Sequence, residues 1–167
     1  MKIFVSGLPG CGKTTLMLEL VKELKAKNKK VAGIITKQIL NNKKREGFLI
    51  EDLTSNKREM LASIKQKEGP KVGKYRVNVN GIDKIVEEAE KNFENADIII
   101  IDEIGRMEFF SEAFKAMLRN LIGSNKKIIA TLHRAYVKKY RKQGIFIWLE
   151  KDKLQEVKNK IISLIGI

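Results

Sequence analysis

Apolar residues along the chain fall into short β-branched runs, and segments with helical spacing lie between them. Lys2-Ile3-Phe4-Val5-Ser6, Val31 to Ile35, Lys127 to Leu132 and Ile145 to Leu149 all read as strands. Ile98-Ile99-Ile100-Ile101 is unbroken, as expected for a strand covered on both faces. From Thr15 to Lys27, Leu16, Leu20 and Leu24 form one stripe with Met17 and Val21 beside them, which predicts a helix. Ile82, Ile85, Val86, Ala89 and Phe93 give a second helix, opened by Asn80-Gly81. A third follows Ser111, a good N-cap, with Phe114, Met117, Leu118 and Leu121 on one face. Asp152 and Gln155 resemble a capping box ahead of a last helix carrying Leu154, Val157, Ile161 and Leu164. Strands alternating with helices predict an α/β fold of three layers around a mostly parallel central sheet.

Residues 37–74 break this rhythm. Asn41-Asn42-Lys43-Lys44 reads as a turn joining Gln38-Ile39-Leu40 to Gly47-Phe48-Leu49-Ile50, a β-hairpin. Ser55 to Arg58 suggests another turn, Lys67 to Lys74 a flexible loop, and Tyr75 to Val79 a strand. The segment is expected to be a hairpin and loop insertion in a single domain spanning residues 1–167, with no internal repeat and no linker.

Composition narrows the class. A chain of 167 residues with 43% apolar content buries a proper core, and no apolar run is long enough to cross a bilayer. The first strand begins at Lys2, leaving no room for a signal peptide, and a single cysteine excludes an internal disulfide and multi-cysteine metal sites. A cytoplasmic protein is expected. The net charge of +14 invites a nucleic-acid partner. It is spread, however, as +8 over residues 1–95 and +6 over 96–167, with no basic tail. Abundant lysine and isoleucine with one histidine also suit a heat-adapted protein. Nucleic-acid binding therefore stays open without being favoured, and nothing in the sequence sets the oligomeric state.

Candidate chemistry starts at Gly7-Leu8-Pro9-Gly10-Cys11-Gly12-Lys13-Thr14, which fits the phosphate-binding pattern G-x-x-x-x-G-K-[ST] between a strand and a helix. Glycines let backbone N–H groups turn inward as a nest for phosphate oxygens, and the helix that follows presents its free N–H groups to the same anion. Lys13 is placed to reach the outer phosphates and the Thr14 hydroxyl to hold Mg²⁺. Asp102-Glu103 ends the isoleucine strand at the edge where open α/β sheets bind ligands. Asp102 suits Mg²⁺, and Glu103 suits the activation of an attacking water. Arg134 and Arg106 are candidates to stabilise transition-state charge, with Arg45 a weaker one, and His133 is either a nucleotide sensor or a structural residue. Phe109-Phe110 and the Tyr136–Lys142 segment read mainly as packing elements, although aromatics among cations also suit single-stranded nucleic acid. Cys11, inside the loop, is expected to block NTP binding when alkylated.

The phosphate loop, Lys44-Arg45-Glu46-Gly47-Phe48, Val72-Gly73-Lys74-Tyr75 and above all Asp102-Glu103-Ile104-Gly105-Arg106-Met107-Glu108-Phe109-Phe110-Ser111 resemble the thermophile nucleoside-triphosphatase family. Its animal relatives are called cancer-related nucleoside-triphosphatases. The resemblance spans nearly the whole chain, and it departs at Arg106, where the family often has Lys. It implies a phosphate-loop NTPase fold and Mg²⁺-dependent hydrolysis of ATP, GTP and other NTPs with little base discrimination. It also implies nucleotide binding by Gly7 to Thr14 with Thr15, and by Asp102, Glu103, Ile104 and Gly105. Two other activities fit the same residues: a small kinase acting on a nucleoside, nucleotide or metabolite, and a nucleic-acid-stimulated ATPase.

Overall fold

The computed structural model describes residues 1–167. The strands are β1 (Lys2–Ser6), β2 (Val31–Asn41), β3 (Lys44–Asp52), β4 (Arg58–Ser63), β5 (Lys71–Val72), β6 (Tyr75–Val77), β7 (Ile98–Ile104), β8 (Lys127–Leu132) and β9 (Ile145–Trp148). The helices are α1 (Lys13–Ala26), α2 (Val79–Glu90), α3 (Glu112–Gly123), α4 (Arg134–Tyr140) and α5 (Leu154–Ile165). All nine strands form one sheet in the order β5-β6-β4-β3-β2-β7-β8-β1-β9.

From β2 to β9 the neighbouring strands run parallel, as the strand–helix alternation predicts. Alternate residues of these strands face opposite layers. Ile3, Val5, Ile98, Ile100 and Ile129 pack under α1 and α5, while Phe4, Ile99, Ile101, Ile128 and Ala130 pack under α2 and α3. The isoleucine run is fully buried because both faces are covered.

Residues 37–74 are a wing of the same sheet rather than an insertion beside it. β2 does not stop at Ile35: it continues to Asn41, and its outer half pairs antiparallel with β3, which carries β4, β6 and β5 in turn. Asn42 and Lys43, both at positive φ (47° and 62°), make the two-residue turn that a right-twisted hairpin requires. The segment expected as a flexible loop holds β5, which turns at Gly73 into β6. The sheet is consequently mixed, parallel at its centre and antiparallel over the wing.

The predicted helices form, with shifted ends. Asn78 caps α2 by accepting from the Gly81 N–H at 3.2 Å. Ser111 caps α3, its hydroxyl accepting from the Phe114 N–H at 2.9 Å and donating to Asp83 Oδ1 at 2.5 Å. The Asp152–Gln155 capping box does not form: α5 begins after Lys153, with no side-chain cap.

Candidate active site

The C-terminal ends of β1, β7 and β8 and the middle of β2 converge on one cleft of about 620 Å³. Its floor is the loop between β1 and α1. Gly10 and Gly12 sit at φ +76° and +102°, backbone that side chains rarely adopt, and a Cβ on Gly7 would meet the Leu149 carbonyl oxygen at 2.5 Å. Gly12 is the N-cap of α1 and offers no side chain to its first turn, which contains no acidic residue. The free N–H groups of a fourteen-residue helix therefore open onto the cleft.

Gly7, Pro9, Gly10, Gly12, Lys13, Thr14 and Thr15 line the cleft together with Asp102, Glu103, Arg106, His133 and Arg134. Four other sequence candidates do not. Leu8 is exposed, Cys11 and Ile104 turn into the two core layers, and Gly105 supports Glu103 and Glu108 from behind. The Cys11 thiol is 6% exposed, so an alkylating reagent reaches it only if the loop opens.

Asp102 is held from both sides. Thr14 Oγ1 donates to its Oδ2 at 2.7 Å across 88 residues of sequence, and Thr131 Oγ1 donates to its Oδ1 at 2.5 Å. Burial raises the pKa of Asp102, opposed by those two hydroxyls, the Lys13 charge and the Thr36 backbone. The following peptide bond, Asp102–Glu103, is cis, and the β7–β8 register shifts between Ile101 and Ile104. Burial pushes Glu103 up to about 7, helped by the Asp102 charge and opposed by Lys13. Lys13 Nζ contacts only the Gly7 carbonyl, at 3.5 Å, and is otherwise free to meet an anion.

These donors fit Mg²⁺. A hydroxyl and a carboxylate, both oxygen ligands, adjoin an anion cradle, and a cation there would relieve the desolvated Asp102. No group of three or more His, Cys, Asp or Glu side chains is arranged to hold a metal ion.

His133 has a structural duty: its Nδ1 accepts from the Ala135 N–H at 3.2 Å and caps α4. Burial lowers its pKa, followed by the nearby charges of Arg106, Arg134 and Lys13. Phe109 stacks on Tyr136 at 4.5 Å and meets Phe114 edge-on, and Tyr140 packs near Phe4. The aromatics of the basic helix α4 are therefore engaged within the fold.

Three residues at or beneath the cleft escape the sequence reading. Glu108 is 4% exposed, and burial, then the Glu103 charge, push it to about 8. A Cβ on Gly105 would lie 2.7 Å from Glu108 Oε2 and 3.1 Å from Glu103 Oε1, so only glycine leaves room for the two carboxyls. The signal was the last Glu of the Asp-Glu-Ile-Gly-x-Met-Glu run. Thr131 was visible as the one polar residue in a buried apolar strand, and Thr36, whose buried Oγ1 has no hydrogen-bond partner, carried no signal.

Known proteins resemble this chain in sequence and fold. The profile of a family described as NTPase matches residues 2–162. The nucleoside-triphosphatase THEP1 of Methanocaldococcus jannaschii is 42% identical over 98% of both chains. That of Pyrococcus abyssi is 41% identical over 97% of this chain and 90% of its own. The crystal structure of THEP1 from Aquifex aeolicus superposes with a TM-score of 0.84 at 30% identity over 100% of both chains. The solution structure of a human cancer-related nucleoside triphosphatase superposes with a TM-score of 0.78 at 26% identity, covering 99% of this chain and 97% of that one.

Proposed function

The chain belongs to the NTPase family, and from that membership and the cleft we propose that it is a Mg²⁺-dependent nucleoside triphosphatase with broad base tolerance, releasing NDP and phosphate. The observation that carries this reading is the Thr14–Asp102 contact, which joins the phosphate loop to the end of β7 beside Glu103.

In this reading the loop N–H groups and Lys13 bind the β- and γ-phosphates. Thr14 and Asp102 hold the metal, which supplies charge neutralisation along the phosphates when bound. Glu103 orients a water and accepts its proton as the water oxygen bonds to the γ-phosphorus. The bond from that phosphorus to the β–γ bridging oxygen breaks, and NDP leaves. Arg106 and Arg134 face the same cleft and are exposed enough to follow the charge that develops. Base tolerance follows from recognition centred on the triphosphate.

Phosphate release from ATP, GTP, CTP and UTP, with and without Mg²⁺, tests the reading. Release should be similar for the four and should stop when Mg²⁺ is chelated. Glu103→Gln should keep NTP affinity and lower turnover by about 10²-fold or more, the usual scale for losing a general base. Near-normal turnover in that variant would remove Glu103 from the role.

A further inference from the structure

The sheet has two very different edges. On the wing side it closes with β5, a strand of two residues, one of them Lys71. A short, charged strand of that kind offers little to another chain. On the far side it ends in β9, Ile145-Phe146-Ile147-Trp148, which contains neither a charge nor a proline. β9 pairs with β1 alone, and none of its residues lines the cleft. Ile145 is 36% exposed and Trp148 44%, so this edge is apolar as well as open.

The backbone of β9 is half used. The Leu149 N–H donates to the Ser6 carbonyl at 2.7 Å, which fixes the alternation along the strand. Ile145, Ile147 and Leu149 turn their N–H and C=O groups toward β1, so those of Phe146 and Trp148 point away from the sheet. Such a row pairs with another extended backbone.

Charge selects which backbone. The nine residues Arg134 to Lys142, which lead toward β9, include five cations and no acid. None of the five is in an ion pair. Arg141 reaches the strand itself, its guanidinium carbon 5.4 Å from the centre of the Phe146 ring. Phe146 packs on the core layer of α2 and α3, and Ile147 on the layer of α1 and α5. One face of the edge is therefore aromatic and cationic, and the other, with Ile145, is aliphatic. A second copy of the chain fits poorly, because it would set two molecules of +14 edge to edge.

We propose that the outer edge of β9 is a docking site for an acidic, extended segment of a partner protein, which joins the nine-stranded sheet as a further strand. Main-chain hydrogen bonds to Phe146 and Trp148 hold the segment in place. Alternate side chains carry carboxylates to Arg141 and Lys142, and those between them are apolar and lie along Ile145. Single-stranded RNA answers the charge but lacks N–H and C=O groups at strand spacing.

Trp148 is the one tryptophan of the chain, so intrinsic emission reports on this edge. The full chain is titrated with a short peptide alternating glutamate and valine, the same peptide N-methylated throughout its backbone, its lysine counterpart, and oligouridylate. The glutamate peptide should shift Trp148 emission to shorter wavelength and slow hydrogen exchange of the Phe146 and Trp148 amides at least tenfold. Arg141→Glu combined with Lys142→Glu should weaken that binding at least tenfold, and both side chains are exposed, so the core stays intact. Equal binding of the methylated peptide would leave charge alone at work and overturn strand addition. The same amide protection from the lysine peptide or from oligouridylate would overturn the choice of an acidic protein segment. Protection that grows with protein concentration in the absence of peptide assigns the edge to a second copy, which also overturns it. No change in emission or exchange with the glutamate peptide up to about 1 mM, the weak end of the affinity scale, overturns the site altogether.

Discussion

At Glu103 two effects act in the same direction, burial and the adjoining Asp102 carboxylate, and together they place its proton affinity near neutrality, at about 7. A general base works deprotonated, so the free enzyme should lose kcat/KM as pH falls through about 7, approaching tenfold per unit below it. A pH–rate profile in which Glu103→Gln lacks this acid limb would assign it to this residue. Glu108 affects stability instead. An unfolded chain releases its proton near 4.5, whereas the folded chain keeps it until about 8. Between those values the unfolded state binds fewer protons, so this residue makes the fold less stable as pH rises from about 4.5 to 8. The full effect is on the order of a few kcal/mol, and Glu103 adds to it with the same sign up to about 7. Glu108→Gln should accordingly raise the urea midpoint at pH 8 and barely change it near pH 4.5. Equal gains at both pH values would mean that its burial costs nothing through ionisation.

At the scale of elements, Ser111 links two helices, capping α3 with its hydroxyl while bonding Asp83 of α2. Ser111→Ala should cost about 1–2 kcal/mol in chemical denaturation, since the Phe114 N–H is buried and would lose its acceptor. A loss under a few tenths would mean that water replaces the hydroxyl. This cap was legible because Ser precedes a clean apolar stripe, and the parallel strands were legible because burial on both faces demands unbroken apolar runs. The wing was less so. Thr36-Lys37-Gln38 interrupts the apolar pattern of β2, so one eleven-residue strand reads as two. In β4, Arg58-Glu59-Met60 begins at the exposed rim before Leu61, Ala62 and Ser63 are buried. A register shift between Phe48 and Leu49 disturbs the β3–β4 pairing as well. The capping box failed for a different reason: its residue spacing was present, but the N-cap position of α5 falls on Lys153, one residue beyond Asp152. Within the site, the phosphate loop and Asp102-Glu103 could be read from local sequence. Glu108 stood in the same run, but its burial beside Glu103, like the surroundings of the wing aromatics Phe48 and Tyr75, comes from tertiary packing.

At the scale of the whole molecule, the charge of +14 is distributed rather than gathered into a nucleic-acid stripe, and of the aromatics of the most basic helix, Tyr140 is buried and the half-buried Tyr136 is stacked on Phe109. The cleft itself gathers Lys13, Arg45, Arg106 and Arg134, with no acidic side chain in ion-pair contact with any of them. These four cations stand beside three acidic side chains, Asp102, Glu103 and Glu108, of which Asp102 and Glu108 are buried, so a polyanionic substrate approaching a molecule of net positive charge is drawn inward and captured faster. Salt weakens this capture as the screening length contracts from roughly 10 Å at 0.1 M to 3 Å at 1 M. Chemistry at a bound phosphate is much less exposed to screening than the approach to it. Stopped-flow measurement with a fluorescent NTP analogue should therefore show the association rate falling severalfold or more over that range of salt, while single-turnover hydrolysis stays nearly constant. Single-stranded RNA should not stimulate turnover, and in excess should only compete for the same field. If hydrolysis fell with salt as steeply as association, the reacting phosphate itself would be open to screening, and Arg106 and Arg134 would act on its developing charge as solvent-exposed groups rather than sheltered ones.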